Sequence, residues 1–173
     1  MVQTIRKGSF VRSFSHPYRL PILLLQLSAF GDIFMCGEGD SGIYISDLHG
    51  LALLHVPFSP PHQVFRRHPQ QRGLTVEEPL VEAAISCMLL SDDGALLITG
   101  DVAGQVVVRA ARCLRVLRVL TCAYFDDSRT PRTGAVVSMA FSPSNNFLLV
   151  GTELGHVQVF LADTFQPLAE PPS

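Results

Sequence analysis

Arg109, Arg112, Arg115 and Arg118 recur at every third position of VVVRAARCLRVLRVL (106–120). A cationic strip set in Val and Leu is the pattern of a voltage-sensing membrane helix, or of a basic amphipathic helix lying on a membrane. The glycine-rich GEGDSG (37–42) could cradle a phosphate, and the adjacent pairs Asp92-Asp93 and Asp126-Asp127 could share acid–base work. Six histidines and four cysteines add metal-ligating and nucleophilic side chains.

Each of these chemistries needs a context, and the context fails in turn. A membrane helix needs roughly 18 or more apolar residues without interruption. The best run, LPILLLQLSAFGDIFMCG (20–37), is broken by Pro21, Gln26, Gly31 and Asp32, and no further span could shelter a charged sensor. GEGDSG lacks the Lys-Ser/Thr ending of a phosphate loop and opens onto a strand pattern, so it reads as a turn. Neighbouring aspartates in a strand or tight turn point apart. His16, His49, His55, His62, His68 and His156 form no HxH or HExxH, and no metal site, cofactor or catalytic residue is expected. Cys36, Cys87, Cys113 and Cys122 show no CxxC, which suits buried, reduced thiols of a cytosolic protein. The start, MVQTIRKGSF, has no long apolar core of a signal peptide. A net charge of −2 argues against nucleic-acid binding, which asks for a basic excess.

The organisation becomes visible when the chain is slid along itself. Shifted by 51, ISCMLLSDDGALLITGDVAGQVVVR (85–109) lies without a gap on VVSMAFSPSNNFLLVGTELGHVQVF (136–160). Gly100 meets Gly151 and Gly104 meets Gly155. A third copy, ILLLQLSAFGDIFMCGEGDSGIYISDL (22–48), puts Ser28, Gly31, Gly37 and Gly42 in matching places with one extra residue before Gly42. Each copy reads as apolar strand, polar turn, second strand, glycine turn and alternating third strand. A fourth strand follows in LALLHVPF (51–58), LRVLRVL (114–120) and the weaker FQPLAE (165–170). Four short antiparallel strands repeated in this way make one blade of a β-propeller.

The arginine strip then falls across a hairpin. Arg109 ends a third strand, AARC turns, and Arg115 and Arg118 ride on an outer strand where Leu114, Val116, Arg118 and Leu120 share one face. The expected fold is all-β: an incomplete WD-repeat-like propeller of about three four-stranded blades plus one preceding hairpin. Its parts are a hairpin at 1–14, a blade at 22–58, an inserted loop at 59–83, a blade at 84–120, a loop at 121–134 and a blade at 135–170. Three and a half blades cannot seal a ring that closes with roughly four to eight, so the chain reads as the C-terminal part of a longer protein.

The blades resemble those of WD-repeat proteins in degenerate form. The Trp-Asp position holds Ser46-Asp47, Arg109-Ala110 and Phe160-Leu161, and the Gly-His that normally opens a repeat is missing. A narrower resemblance rests on VQTIRKGSFVRSF (2–14), IYISDLHGLALL (43–54) and NFLLVGTELGHVQVF (146–160), in that order. These segments look like the C-terminal propeller of BEACH-domain proteins of the neurobeachin type. That resemblance implies a noncatalytic, cytosolic scaffold, peripherally membrane-associated, acting in vesicle trafficking, membrane dynamics and protein localisation. Its implied partners are other proteins, including an upstream BEACH module of the same polypeptide. The alternative is a WD-repeat structural subunit of an unrelated multiprotein complex. Neither reading implies an enzyme, a small-molecule substrate or a nucleic-acid partner.

In a propeller, the turns between second and third strands share a face with the connections between blades. That face is expected to carry Glu38, Asp40, Asp101 and Glu153 from the turns. From the connections it takes Arg66, Arg67, Arg72, Glu77, Glu78, Asp126, Asp127, Arg129 and Arg132, with Phe65, Tyr124 and Phe125 among them. Mixed charge sets docking register, and exposed aromatics with Arg make hot spots. The expected partner-binding set is therefore Arg66, Arg67, Arg72, Tyr124, Phe125, Asp126, Asp127 and Arg129. RRHPQQR (66–72) falls short of the basic cluster that anionic lipid recognition needs. DDSRTPR (126–132) reads as a turn-forming segment.

Overall fold

The alternating apolar runs pair as the repeat requires. The computed structural model describes residues 19–47, 83–124 and 130–168, with the backbone alone of 52–56, 63–67, 75–79 and 125. Every regular element among these described residues is a β-strand, and none of them forms a helix long and apolar enough to cross a membrane. β1 (Ile22–Leu27), β2 (Ile33–Gly37), β3 (Ile43–Ser46) and β4 (Ala52–Val56) form the first blade, antiparallel and in chain order. β5 (Gln63–Arg67) and β6 (Thr75–Pro79) pair as a separate hairpin. β7 (Ile85–Leu90), β8 (Leu96–Asp101), β9 (Gln105–Ala110) and β10 (Val116–Thr121) form the second blade. A short hairpin of β11 (Ala123–Phe125) and β12 (Pro131–Thr133) leads to β13 (Val136–Phe141), β14 (Phe147–Thr152) and β15 (Val157–Leu161) of the third blade.

Both inter-blade segments thus hold short hairpins of their own; Val64, Phe65 and Val76 in the first are residues that favour pleated structure. The expected fourth strand of the third blade is reduced to a single bridge between Phe160 and Pro167. Pro167 has no N–H to give to a ladder, so pairing there stops at Leu161 N to Gln166 O and Leu168 N to Val159 O. The hairpin expected at 1–14 lies outside the described residues.

Blades stack face against face, and each junction is a dry core. Phe34, Cys36, Ile43 and Ile45 of the first blade pack on Ile85, Met88, Leu97, Ala111 and Leu114 of the second. Ile98, Val106 and Val108 of the second pack in turn on Val136, Leu148, Val150 and Phe160 of the third. Burying each Val, Leu, Ile or Phe side chain favours the fold by about 1.5–3 kcal/mol, so these two seams supply most of the cohesion. A polar tie crosses the second seam. Ser86 Oγ lies 3.1 Å from the Gly100 carbonyl and 2.5 Å from the Val136 carbonyl, and donates its proton to one of them. Ser86 is the extra residue of a bulge between Ile85 and Cys87; the same bulge recurs at Ile22/Leu24 and Val136/Ser138. It lets each inner strand bend with an unpaired residue at the same point.

Two equivalences read from the sequence shift, those of Gly37 and, since Tyr44 takes the place of Val107, of Gly42. Ile85 faces Asp101 and Val136 faces Thr152, but Ile22 faces Gly37. Gly37 therefore stands where Asp101 and Thr152 stand, and Cys36, not Gly37, takes the place of Gly100 and Gly151. The cause is the first turn: Ser28 N bonds Asp32 O, whereas Ser91 N bonds Leu96 O and Ser142 N bonds Phe147 O, one residue further on. β2 has slid by one residue, and a one-residue slip moves every side chain to the other face of the sheet.

The arginine strip is a hairpin, with two corrections. Arg109 is buried in β9, and its guanidinium donates to the Leu114 carbonyl at 3.4 Å. Arg115 precedes β10, where its carbonyl accepts from Ala110 N at 2.9 Å. A register shift between Val116 and Arg118 breaks the expected alternation: Arg118 and Leu120 stay on one face, opposite Val108 and Val106, while Val116 moves to the other, opposite Arg109.

Candidate protein-docking surfaces

Successive turns of an antiparallel blade lie at alternate ends, so the structure offers two turn faces. The first, formed by the turns between second and third strands, is the one the sequence singled out. Two of its acids, Asp40 and Asp101, turn inward to build the turns, while Glu38 and Glu153 are exposed. Asp101 is buried, and its Oδ1 accepts from Ala103 N at 2.9 Å and Gln105 N at 2.8 Å. Asp40 accepts from Gly42 N at 2.8 Å and from the Tyr44 hydroxyl at 3.1 Å. Glu153 Oε1 accepts from Ala135 N at 2.9 Å. The two aspartates are turn organisers, a role that the side-chain-to-backbone bonding of Asp explains, while Glu153 ties its turn to the connection before β13.

Of the expected partner-binding residues, Tyr124 is the one whose surroundings are described. It is half-buried, and its ring stacks on His156 of the third blade with centroids 3.8 Å apart and planes 27° apart. Beside it Gln158 Nε2 donates to the Ala123 carbonyl. Tyr124 thus ties the β11–β12 hairpin to the third blade. Phe125 ends β11 opposite Pro131, and Arg66 and Arg67 lie on β5 opposite Val76 and Thr75. Arg72, Asp126, Asp127 and Arg129 lie outside the described residues, so the set is not seen brought together.

The opposite face holds what the sequence reading missed. Where the first turn of one blade meets the last turn of the next, a groove opens at each seam. Between the first two blades a space of about 520 Å³ is lined by Phe30, Asp32, Phe34, Ile45, Ala111, Arg112 and Cys113. Phe30 is 69% exposed, the most exposed large apolar side chain among the described residues. Its turn is fixed by Ser28 Oγ, which accepts from Phe30 N at 3.2 Å and Asp32 N at 3.0 Å. The Arg112 guanidinium lies 5.7 Å from the ring centroid, a cation–π contact across the seam. Gly94 lies beside the ring, where a Cβ would make ordinary contact with Phe30 at 3.5 Å, and its φ of 67° is what favours glycine in that turn. The signal was present in the sequence, because Phe30 falls in SAFGD where the other two repeats carry Asp93 and Ser144.

Between the second and third blades a smaller space of about 260 Å³ is lined by Ser91, Asp92, Asp93, Leu96, Phe141, Asn145 and Ala162. Asp92 and Asp93 serve different neighbours. Asp92 accepts from Asn145 Nδ2 across the seam at 2.9 Å. Asp93 accepts from the Ser91 hydroxyl at 2.6 Å and Ala95 N at 3.0 Å, and these bonds hold its carboxyl below the usual range. Among the described residues no three His, Cys, Asp or Glu side chains converge as metal ligands would. The thiols of Cys36 and Cys122 are pushed up to about 12 and that of Cys87 to about 11, chiefly by burial, which makes them packing groups at neutral pH.

No protein-family model matches the chain. Among curated proteins it is similar to BEACH domain-containing protein B of Arabidopsis thaliana, 22% identical over 157 residues that cover 91% of this chain and 5% of that protein. Among solved structures it is similar to the RRP9 WD40 repeats (TM-score 0.65, 20% identical, 90% of this chain and 39% of that one). U3-55K gives a TM-score of 0.65 at 20% identity over 90% of this chain and 40% of that one. Sqt1 of Saccharomyces cerevisiae gives 0.60 at 18% over 87% and 35%. The fold is that of a WD40-repeat propeller. The chain spans about two fifths of the length of these propellers and about a twentieth of the curated relative.

Proposed function

We propose that this chain is a noncatalytic protein-interaction module, part of the C-terminal propeller of a BEACH-type protein. In this reading it acts as a scaffold in vesicle trafficking, membrane dynamics and protein localisation, in the cytosol and peripherally at membranes. The observation that carries the docking role is Phe30. A rigid, exposed aromatic under a guanidinium, at the lip of a groove floored by Phe34, Ile45 and Ala111, is the composition of an interaction hot spot. The noncatalytic reading is supported by the inner strands, which are apolar but for Gln26, Ser86 and Ser138, of which Gln26 and Ser86 bond backbone carbonyls. The BEACH-type placement is supported by the order of the three resembling segments and by the Arabidopsis relative that covers 91% of the chain. The partners proposed are other proteins, with an upstream BEACH module of the same polypeptide foremost.

The test is the size and fractionation of the native product, followed with an antibody raised against residues 59–78. The expected result is a polypeptide far above 18.9 kDa, partly recovered with membranes. A product of 18.9 kDa found only in the soluble fraction would overturn the BEACH-type reading.

A further inference from the structure

The two grooves occupy equivalent places at successive seams, and each seam lies between two blades that this chain supplies. The turns after β9 and β15 are built alike. Leu114 N bonds the Ala110 carbonyl and Phe165 N the Leu161 carbonyl, while Ala110 N and Leu161 N bond the carbonyls of Arg115 and Gln166. Leu114 and Phe165 both take a positive φ, 54° and 55°. In this common frame Arg112 corresponds to Asp163. The turns after β1 and β7 correspond in the same way: Gly31 N bonds the Ser28 carbonyl and Gly94 N the Ser91 carbonyl, which sets Phe30 against Asp93.

Equivalent positions therefore carry opposite chemistry. The first groove presents an exposed ring and an exposed guanidinium, those of Phe30 and Arg112. Its Asp32 is half-buried, with the carboxylate 3.5 Å from the Ser28 hydroxyl. At the second seam the same two positions hold the exposed carboxylates of Asp93 and Asp163, and the exposed Asp92 lines the groove beside Asp93. The bonds these three acids accept come from the Asn145 amide, the Ser91 hydroxyl and the backbone N–H groups of Ala95 and Thr164. Neutral donors orient a carboxylate without cancelling its charge.

One turn forms the wall that the grooves share. Gly94, next in the chain to Asp93, would bring a Cβ to 3.5 Å from the Phe30 ring. Ala111, which lines the first groove, donates its N–H to the Ala95 carbonyl of that turn. Covalent geometry then puts the ring and the Asp93 carboxylate on the order of 10 Å apart. An extended chain rising about 3.3 Å per residue covers that span in about three residues.

We infer that the two grooves together hold one extended segment of a partner protein, in which an acidic and an apolar residue stand side by side with a basic residue about three positions away. The apolar side chain packs on Phe30, the acidic one faces Arg112, and the Lys or Arg enters between Asp92 and Asp93, so that charge complementarity fixes its register. Such a segment extends the docking role proposed for Phe30, on which it rests, to the second groove. A lipid surface or a nucleic acid, anionic throughout, would meet the carboxylates of Asp92, Asp93 and Asp163, and this favours a peptide.

The probes are dye-labelled peptides in which Glu-Phe and Lys-Lys are joined by serine spacers of increasing length, titrated against the 173-residue chain by fluorescence anisotropy. Affinity is expected to peak where Lys stands about three residues from Phe, and to fall as salt is raised. Arg112→Glu and Asp92→Lys should each weaken the best peptide about tenfold, because repulsion replaces attraction. The double variant should prefer the peptide with its charges exchanged, Lys-Phe joined to Glu-Glu, a gain that a misfolded chain would not show. Affinity indifferent to the spacer, peptides bound no better than a serine-only control, or a double variant that keeps the parent's preference would overturn the inference. Loss of binding in Phe30→Ala with none in Asp92→Lys would remove the second groove and leave the docking role of Phe30 standing. Phosphatidylserine vesicles bound more tightly than every peptide would overturn the peptide occupant. The BEACH-type reading is decided separately, by the size of the native product.

Discussion

Gly100 stands directly against Val136. A Cβ placed on Gly100 would come 2.5 Å from Val136 Cγ1, 2.7 Å from its Cβ and 2.8 Å from Cys87 Sγ. The absence of a side chain lets the third blade close onto the second. At the equivalent Gly151 the nearest atoms to such a Cβ all belong to Ser138, its Oγ at 2.6 Å and its carbonyl oxygen at 3.8 Å.

Gly100→Ala is accordingly expected to destabilise the chain by about 1–3 kcal/mol, the usual penalty for overpacking a closed core. Gly151→Ala is expected to stay within about 0.5 kcal/mol, since a hydroxyl can rotate aside. Paired denaturant titrations give the comparison. Equal losses at the two glycines would show that the seam is not what constrains Gly100.

Phe30→Ala should separate binding from stability. The ring is mostly solvated, and the cation–π contact with Arg112 contributes about 0.5–1 kcal/mol, so folding should weaken by no more than that. Binding of a docked protein should fall at least tenfold, as for a hot-spot aromatic. Val102→Ala is the control, being an apolar side chain 52% exposed on the opposite turn face. Quantitative crosslinking to the bound protein, read beside thermal melts, distinguishes the two variants; equal loss from both would remove the groove as the docking site.

The cysteines predict an alkaline limit to stability. Thiol values pushed from 9.0 to about 12 at Cys36 and Cys122 mean that the folded chain holds these protons more tightly than the unfolded one. Their contribution is complete below about pH 9 and is lost as pH climbs toward about 12. Melting temperature should fall from pH 9 upward, and the fall should be shallower in Cys36→Ala. At neutral pH a maleimide should label Cys113, the exposed thiol, well before the buried Cys36 and Cys122.

Asp101 should matter as a turn organiser. Asp101→Ala removes the acceptor for Ala103 N and Gln105 N and is expected to cost about 1–3 kcal/mol. Asp101→Asn keeps a side-chain oxygen and should cost less. Urea midpoints of the two variants test the order; equal losses would mean that charge, not the turn, is what Asp101 supplies.

Much of the architecture was legible in the sequence because it is written in repeated turn chemistry. Gly104 and Gly155 take positive φ values of 83° and 78° at matching turns, conformations that few other residues accept. The hairpin through Arg109 and Arg118 was legible for the same reason. What escaped was set by counting within turns: one residue fewer between Ser28 and Ile33 moves β2 without changing its apolar character. The candidate site was less legible. Asp101 and Tyr124 look like surface residues by type, yet each finds partners in its own fold. Phe30 looks like core by type and is presented to solvent.

β2 shows how such a family of blades can drift. Its five residues, IFMCG, are all buried, so neither face of the strand distinguishes inward from outward by polarity. The residue lost from the turn before it is regained in the turn after it, and β3 returns to the common frame, with Met35 facing Tyr44 as Thr99 faces Val107. Deletion and insertion cancel across one strand, like two compensating frameshifts around a stretch that reads acceptably in either frame. Strands apolar on both sides are where a propeller can tolerate editing of its turn lengths. Strands with one wetted side hold their phase fixed.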